Sequence, residues 1–284
     1  MSLADLQTAL GTMVVTRGSA ARLEPGLLDS FGGLNLTAEE RAWLNQVAHS
    51  PGFEVTCKIQ RWWRELRLRQ TLPLTLALLE PEKCAELLNA YLDTHPSLSL
   101  FYIPEALGFL DFVTQTAPAV AHLGAIAKFE RAMLLATEDA AAPSSQTSEA
   151  AELLPAQRIT RHPAASIVGF SAPPAALLGA LLFDQPLPAP QEQIFPVLVA
   201  PGLPRLWRPA TPDEALLFAC CQPSATVELL LATVDGNARL LETLLSAGAL
   251  CATNRRGSAR LPRPGVKTHR QLRRATVQIG LLAE

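Results

Sequence analysis

The residues of this 284-residue chain that could carry chemistry are its five histidines and five cysteines, and their spacing decides what they can do. His49, His95, His122, His162 and His269 are dispersed, and none has a His, Cys or acidic residue two to four positions on in a ligand pattern. A zinc or iron site draws three or four such donors together, commonly at short spacing. Glu82 and Cys84 are too weak a pair to make one. Cys57, Cys84, Cys220, Cys221 and Cys251 are odd in number, form no CxxC and mostly sit among apolar residues, which reads as buried free thiols in a reducing compartment. There is no GxSxG, no P-loop and no GxGxxG after a strand. The chain is expected to be non-catalytic by itself. A triad assembled from distant residues would reveal itself as activity of the purified single chain.

Binding chemistry is better represented. "KIQRWWRELRLRQTLP", Lys58 to Pro73, sets two adjacent tryptophans among four arginines. Ile59, Trp62, Trp63 and Leu66 fall at i, i+3, i+4 and i+7, so both indoles share one helical face, while Arg61, Arg64 and Glu65 project to the other and Arg67 and Arg69 flank the stripe. Stacking on nucleic acid would need exposed rings beside the arginines. The expectation is therefore that the indoles face a core or a protein seam rimmed by arginines, since Trp and Arg are the enriched anchors of protein interfaces.

Around that stretch the first half reads as helices. "LTAEERAWLNQVAHS" opens with Thr37 and Glu40 spaced as a capping box, and Pro51 and Gly52 stop it. Further helices are expected from about Glu82 to Thr94, from about Pro104, and through "PAVAHLGAIAKFERAMLLATEDA". "TEDAAAPSSQTSEAAELLPAQ" has a linker's composition. Beyond it, "ASIVGF", "IFPVLVA" and "LPRLWRPA" are short β-prone runs, with the apolar helix "PAALLGALLF" between the first two. Three helices follow: "TPDEALLFACC" with Thr211 as N-cap, "SATVELLLATV", and "NARLLETLLSAG" with Gly248 as its stop. Strands followed by three helices have the order of a small winged-helix unit. The fold class expected is α+β: a helical domain over 1–140, a linker over 141–157, a winged-helix-like domain over 158–251 and a basic tail over 252–284.

That tail carries Arg255, Arg256, Arg260, Arg263, Lys267, Arg270, Arg273 and Arg274 against the single acid Glu284, although the whole chain is −2. The rest is accordingly acidic, with no overall attraction to polyanions. The N-terminus lacks a basic flank and a long apolar run, and no stretch reaches the roughly 18 to 20 apolar residues of a spanning helix. A cytoplasmic chain without membrane contact is expected.

The helical half, in "YLDTHPSLSLFYIPEALGFLDFV" and "LGAIAKFERAMLLA" with its aromatic-Glu-Arg-Ala element Phe129, Glu130, Arg131 and Ala132, resembles the partner subunits of multinuclear non-heme iron oxidative enzymes. The C-terminal half, in "VLVAPGLPRLWRPATPDEALLFACC", "ATVELL" and "ARLLETLLSAGAL", resembles the peptide recognition elements of ribosomal-peptide modification systems, and the layout is most like the subunits of 3-thiaglutamate or methanobactin biosynthesis. The basic tail has no counterpart in that pattern. The resemblance implies a precursor peptide whose leader adds as a strand to a sheet edge at Leu206, Trp207 and Arg208, with Leu240, Leu241 and Leu244 as the groove wall. It implies heterodimer formation with a TIM-barrel iron enzyme, the iron ions held by that partner and none by this chain. Arg61, Arg64, Arg67 and Arg69 are then the candidates for docking it, through bidentate capture of carboxylates. The rival reading is a winged-helix DNA-binding regulator. The last helix, with Arg239 as its single base and with Glu242, is poor in donors for base edges.

Overall fold

Thr37 starts a helix as its spacing to Glu40 requires. Its hydroxyl accepts from the Glu40 amide at 3.2 Å while the Glu40 carboxylate accepts from the Thr37 amide at 2.7 Å, so two donors at the helix end are satisfied reciprocally. The structure is a computed structural model and describes residues 3–19, 33–95, 102–140 and 154–253. The chain divides into two compact units, Met1–Ala117 and Pro118–Glu284.

The first unit is helical among its described residues: α1 (Leu3–Ser19), α2 (Ala38–Ala48), α3 (Pro51–Thr71), α4 (Pro73–Ala77), α5 (Pro81–Thr94) and α6 (Tyr102–Thr116). Pro51, Pro73 and Pro81 each open a helix, where a missing N–H removes no intrahelical bond. Pro73 thereby ends α3 and begins the short α4, in agreement with the expected break. One apolar cluster joins α1, α2 and the start of α3 through Ala9, Met13, Leu44, Ala48, Phe53 and Cys57. A second centre is aromatic: Tyr91 of α5 meets Phe109 of α6 edge-on at 5.3 Å, and its hydroxyl donates to the Glu105 carbonyl at 3.1 Å. Gly108 permits this approach, because a Cβ there would lie 2.8 Å from the Tyr91 oxygen.

The second unit runs α7 (Leu123–Ala140), β1 (Arg158–Arg161), β2 (Ser166–Phe170), α8 (Pro174–Leu182), β3 (Phe195–Val199), β4 (Trp207–Pro209), α9 (Pro212–Cys220), β5 (Ala225–Thr226), α10 (Val227–Thr233), α11 (Ala238–Ser246) and β6 (Leu250–Thr253). Its strands form two antiparallel three-stranded sheets, ordered β5-β1-β6 and β2-β3-β4. The core gathers Ile159, Leu198, Leu217, Phe218, Leu230, Leu241, Leu244 and Leu250. The chain is thus α+β. Capping again follows sequence: Thr211 and Glu214 make a second box, and Gly248 takes φ 65° after α11.

Two features differ from the sequence reading. The boundary drawn at residue 140 assigned α7 to the helical half, whereas α7 groups with the second unit because it lies on β2 and β3. The sheet β5-β1-β6 was not expected at all. Its strands have two to four residues and are held by pairing between residues far apart in sequence, such as Thr160 with Cys251, 91 positions on, so alternation has no length in which to appear. The expected linker lies outside the described residues up to 153, and the basic tail from 254 onward.

Candidate functional site

The candidate edge is β4, and local geometry makes it short. Leu206, at φ 61° and buried, donates to the Leu203 carbonyl and accepts from the Ala200 amide, closing the turn that leads into the strand. Arg208 lies opposite Leu198, flanked by bonds from Ala200 to Leu206 and from Ala210 to Pro196. Alternation along an antiparallel ladder then directs the Trp207 N–H and C=O, and the Pro209 C=O, away from β3. Pro209 has no N–H, and its carbonyl already accepts from Arg208 at 2.9 Å. Trp207 alone offers the open side both a donor and an acceptor. At the opposite edge, alternation turns the N–H and C=O of Ile167 and Gly169 outward from β2.

The Trp207 ring is partly buried. It stands edge-on to Phe129 at 5.7 Å and 88°, and Phe129 is edge-on to Phe170 at 5.7 Å. The aromatic-Glu-Arg-Ala element of α7 therefore touches the candidate edge through its first residue, while Glu130 and Ala132 are buried. Arg208 is engaged elsewhere: its two terminal nitrogens donate to the two Glu214 oxygens at 2.9 and 2.6 Å. Burial alone would raise the Glu214 carboxyl, but the Arg208 fork and the Thr211 amide outweigh it and hold the group below the usual glutamate range, and the same pairing raises Arg208. Arg208 fastens β4 to the first turn of α9, so a role in gripping peptide is not open to it without breaking that clamp.

The proposed groove wall is corrected by the structure. Leu241 and Leu244 are both 0% exposed and belong to the core cluster, with Leu240 packed partly against it. A nine-residue helix has one apolar stripe, and α11 needs it to close the core against α9 and β6.

The arginine-tryptophan stretch is also reversed. The inward line of α3 is Phe53, Cys57, Arg64 and Leu68, whereas Trp62 is 55% and Trp63 45% exposed, the two rings standing edge-on at 4.9 Å. Arg64, at 4% exposed, donates Nε to the buried Glu105 carboxylate at 2.5 Å and its terminal nitrogens to the Leu92 and His95 carbonyls. It bridges α3 to the C-terminal end of α5 and to α6, and cannot reach a partner. Arg61 donates to Asp93 and Asn89, Arg67 approaches Glu105 at 3.7 Å, and Arg69 pairs with Glu65. Every member of the proposed docking row has an intramolecular partner. The pattern missed this because the compensating acid, Glu105, lies 41 positions away.

The histidines take structural bonds. His122, buried at φ 61°, donates Nε2–H to the Pro188 carbonyl at 2.8 Å, leaving Nδ1 to the Ser171 hydroxyl at 3.2 Å. His162 Nδ1 accepts from the Ala164 amide, and its Nε2 lies 3.5 Å from Asp139. His49 bonds the Asn45 carbonyl, His95 stacks on Tyr91, and His269 lies outside the described residues. None of the five cysteines is in a disulfide. Burial pushes the Cys221 thiol up to about 11 and raises those of Cys84 and Cys251 as well. Among the described residues no group of three or more His, Cys, Asp or Glu side chains could hold a metal ion, and no helix is long and apolar enough to cross a membrane. Comparison of the chain with protein-family models, with curated proteins and with solved structures gave no match.

Proposed function

We propose that this chain is a non-catalytic subunit that binds the leader of a ribosomally made precursor peptide and presents the peptide's cysteine to a multinuclear iron oxidative partner enzyme. Its winged-helix-like recognition element is the part of the second unit over residues 158–251. The observation that carries the reading is the three-stranded sheet β2-β3-β4, whose terminal strand β4 keeps the Trp207 amide and carbonyl directed outward beside an aromatic pair. An extended leader pairing there gains two main-chain hydrogen bonds, worth about 0.5–1.5 kcal/mol each. So small a contribution requires the ring of Trp207 to supply much of the affinity. Tethering then raises the local concentration of the reactive cysteine at the partner's iron, chemistry to which this chain adds position.

The test is fluorescence anisotropy with a labelled synthetic precursor ending in cysteine, taken from a reading frame adjacent to that of this chain. Saturable binding weakened about tenfold or more by Trp207→Ala supports the reading. Absence of binding at about 100 µM peptide, an affinity near 5.5 kcal/mol, sinks it. Steep salt-dependent binding to random duplex would favour the DNA-binding alternative.

A further inference from the structure

The outer face of α3 carries information the peptide-binding reading does not use. Val55, Ile59, Trp62 and Leu66 recur at spacings of four, three and four, the a/d rhythm of a helix-pairing seam. At 100° per residue they lie opposite the buried line of Phe53, Cys57, Arg64 and Leu68. Val55, Ile59 and Trp62 are each about half exposed, and Leu66 is partly so. Ordinary helices place such a stripe inward. Here one apolar line builds the core and a second faces solvent.

The flanks of that second line identify its occupant. One flank is charged: Glu54, Lys58, Glu65 and Arg69, all exposed or partly so and paired within the helix at 2.7 and 2.8 Å. The other flank, Thr56, Trp63 and Gln70, has no charge of its own, and Arg67 beyond Trp63 is turned to Glu105 at 3.7 Å. When two copies of α3 run antiparallel about a two-fold axis level with residues 60 to 62, Ile59 packs on the partner copy's tryptophan at 62 and Val55 on its leucine at 66. In antiparallel pairs like flanks meet. Glu54 then faces the arginine at 69 of the other copy, and Lys58 faces the glutamate at 65. Each charge meets its opposite, twice over. A parallel arrangement sets the charged flank against the uncharged one and gains nothing from it.

We infer that this face is a self-complementary antiparallel dimer seam, and that its partner is a second copy of this chain. The inference is independent of whether the second unit binds peptide.

The test is sedimentation velocity of the full chain from about 1 to 100 µM, the range over which a seam of four apolar side chains a copy is expected to associate. Wild type should shift from monomer to dimer. Ile59→Glu with Trp62→Glu should remain monomeric with an unchanged circular dichroism spectrum, since both residues face solvent. Lys58→Glu alone and Glu65→Lys alone each set like charges opposite one another in their homodimers, weakening association about tenfold or more. In an equimolar mixture of these two variants every facing pair is again opposite in sign, so dimer should return near the wild-type constant. A wild type that stays monomeric at about 100 µM overturns the inference. So does a dimer that survives the Ile59 and Trp62 changes, or a mixture no stronger than either variant alone. A wild-type monomer whose exposed tryptophans prove necessary for capturing a different protein also overturns it and assigns the face to that protein.

Discussion

Replacing Arg64 with Met tests whether this residue is a buried tie or a surface docking group. The guanidinium pairs with a carboxylate whose side chain is 5% exposed, as is its own, and also takes two carbonyls near the end of α5. Removing one member of such a pair costs about 3–5 kcal/mol, because the remaining charge is left buried. The approach of Arg67 to Glu105 at 3.7 Å offsets part of that, while the loss of partners for the Leu92 and His95 carbonyls adds to it. About 4 kcal/mol of destabilisation is therefore expected for Arg64→Met. Adding Glu105→Met removes the stranded charge, so the double variant should recover about 2 kcal/mol or more relative to the single one. The assay is urea denaturation followed by tryptophan fluorescence, since Trp43, Trp62 and Trp63 all lie in the first unit and only Trp207 in the second. If Arg64→Met changes stability by less than about 0.5 kcal/mol, and the double-mutant cycle shows no coupling, the pair behaves as a solvated surface contact and the reasoning fails.

Arg208→Met should destabilise by about 1–3 kcal/mol at pH 7, a figure reduced from that for a fully buried pair because Arg208 is 30% exposed. The folded Glu214 carboxyl lies below its ordinary 4.5, so the stability it contributes is present above that pH and is lost as pH falls through the lowered value. Thermal melts between about pH 3 and 7 should accordingly show a shallower acid slope in Arg208→Met, and identical slopes would contradict the pairing. Gly108→Ala places a Cβ 2.8 Å from the Tyr91 oxygen and should cost about 1–3 kcal/mol. Combined with Tyr91→Phe, which deletes that oxygen, it should cost less than the sum of the two single changes, and strict additivity in urea melts would remove the clash argument. Cys221, buried with its thiol raised to about 11, should react with a disulfide reagent at pH 8 far more slowly than the partly exposed Cys220. Equal rates in single-cysteine variants would show that the burial is not maintained in solution.

Sequence alone determined the elements whose signals are local. The Thr37–Glu40 capping box, the Thr211 cap, the breaks at Pro51 and Pro73, the glycine after α11 and the runs that became β2, β3 and β4 all depend on residues within a few positions of one another, where backbone donors and fixed dihedrals act without help from the rest of the chain. The α+β class follows from those elements. Which face of an element turns inward was settled only by tertiary structure. α3 has two apolar lines, and the one that includes an arginine is buried because Glu105, distant in sequence, neutralises Arg64 there, which frees the tryptophan line to face water. α11 has one line, and the core takes it, so Leu241 and Leu244 could not remain a groove. Periodicity counts apolar residues, but the cost of burying a charge depends on what stands opposite it, and that is fixed only once helices distant along the chain have packed.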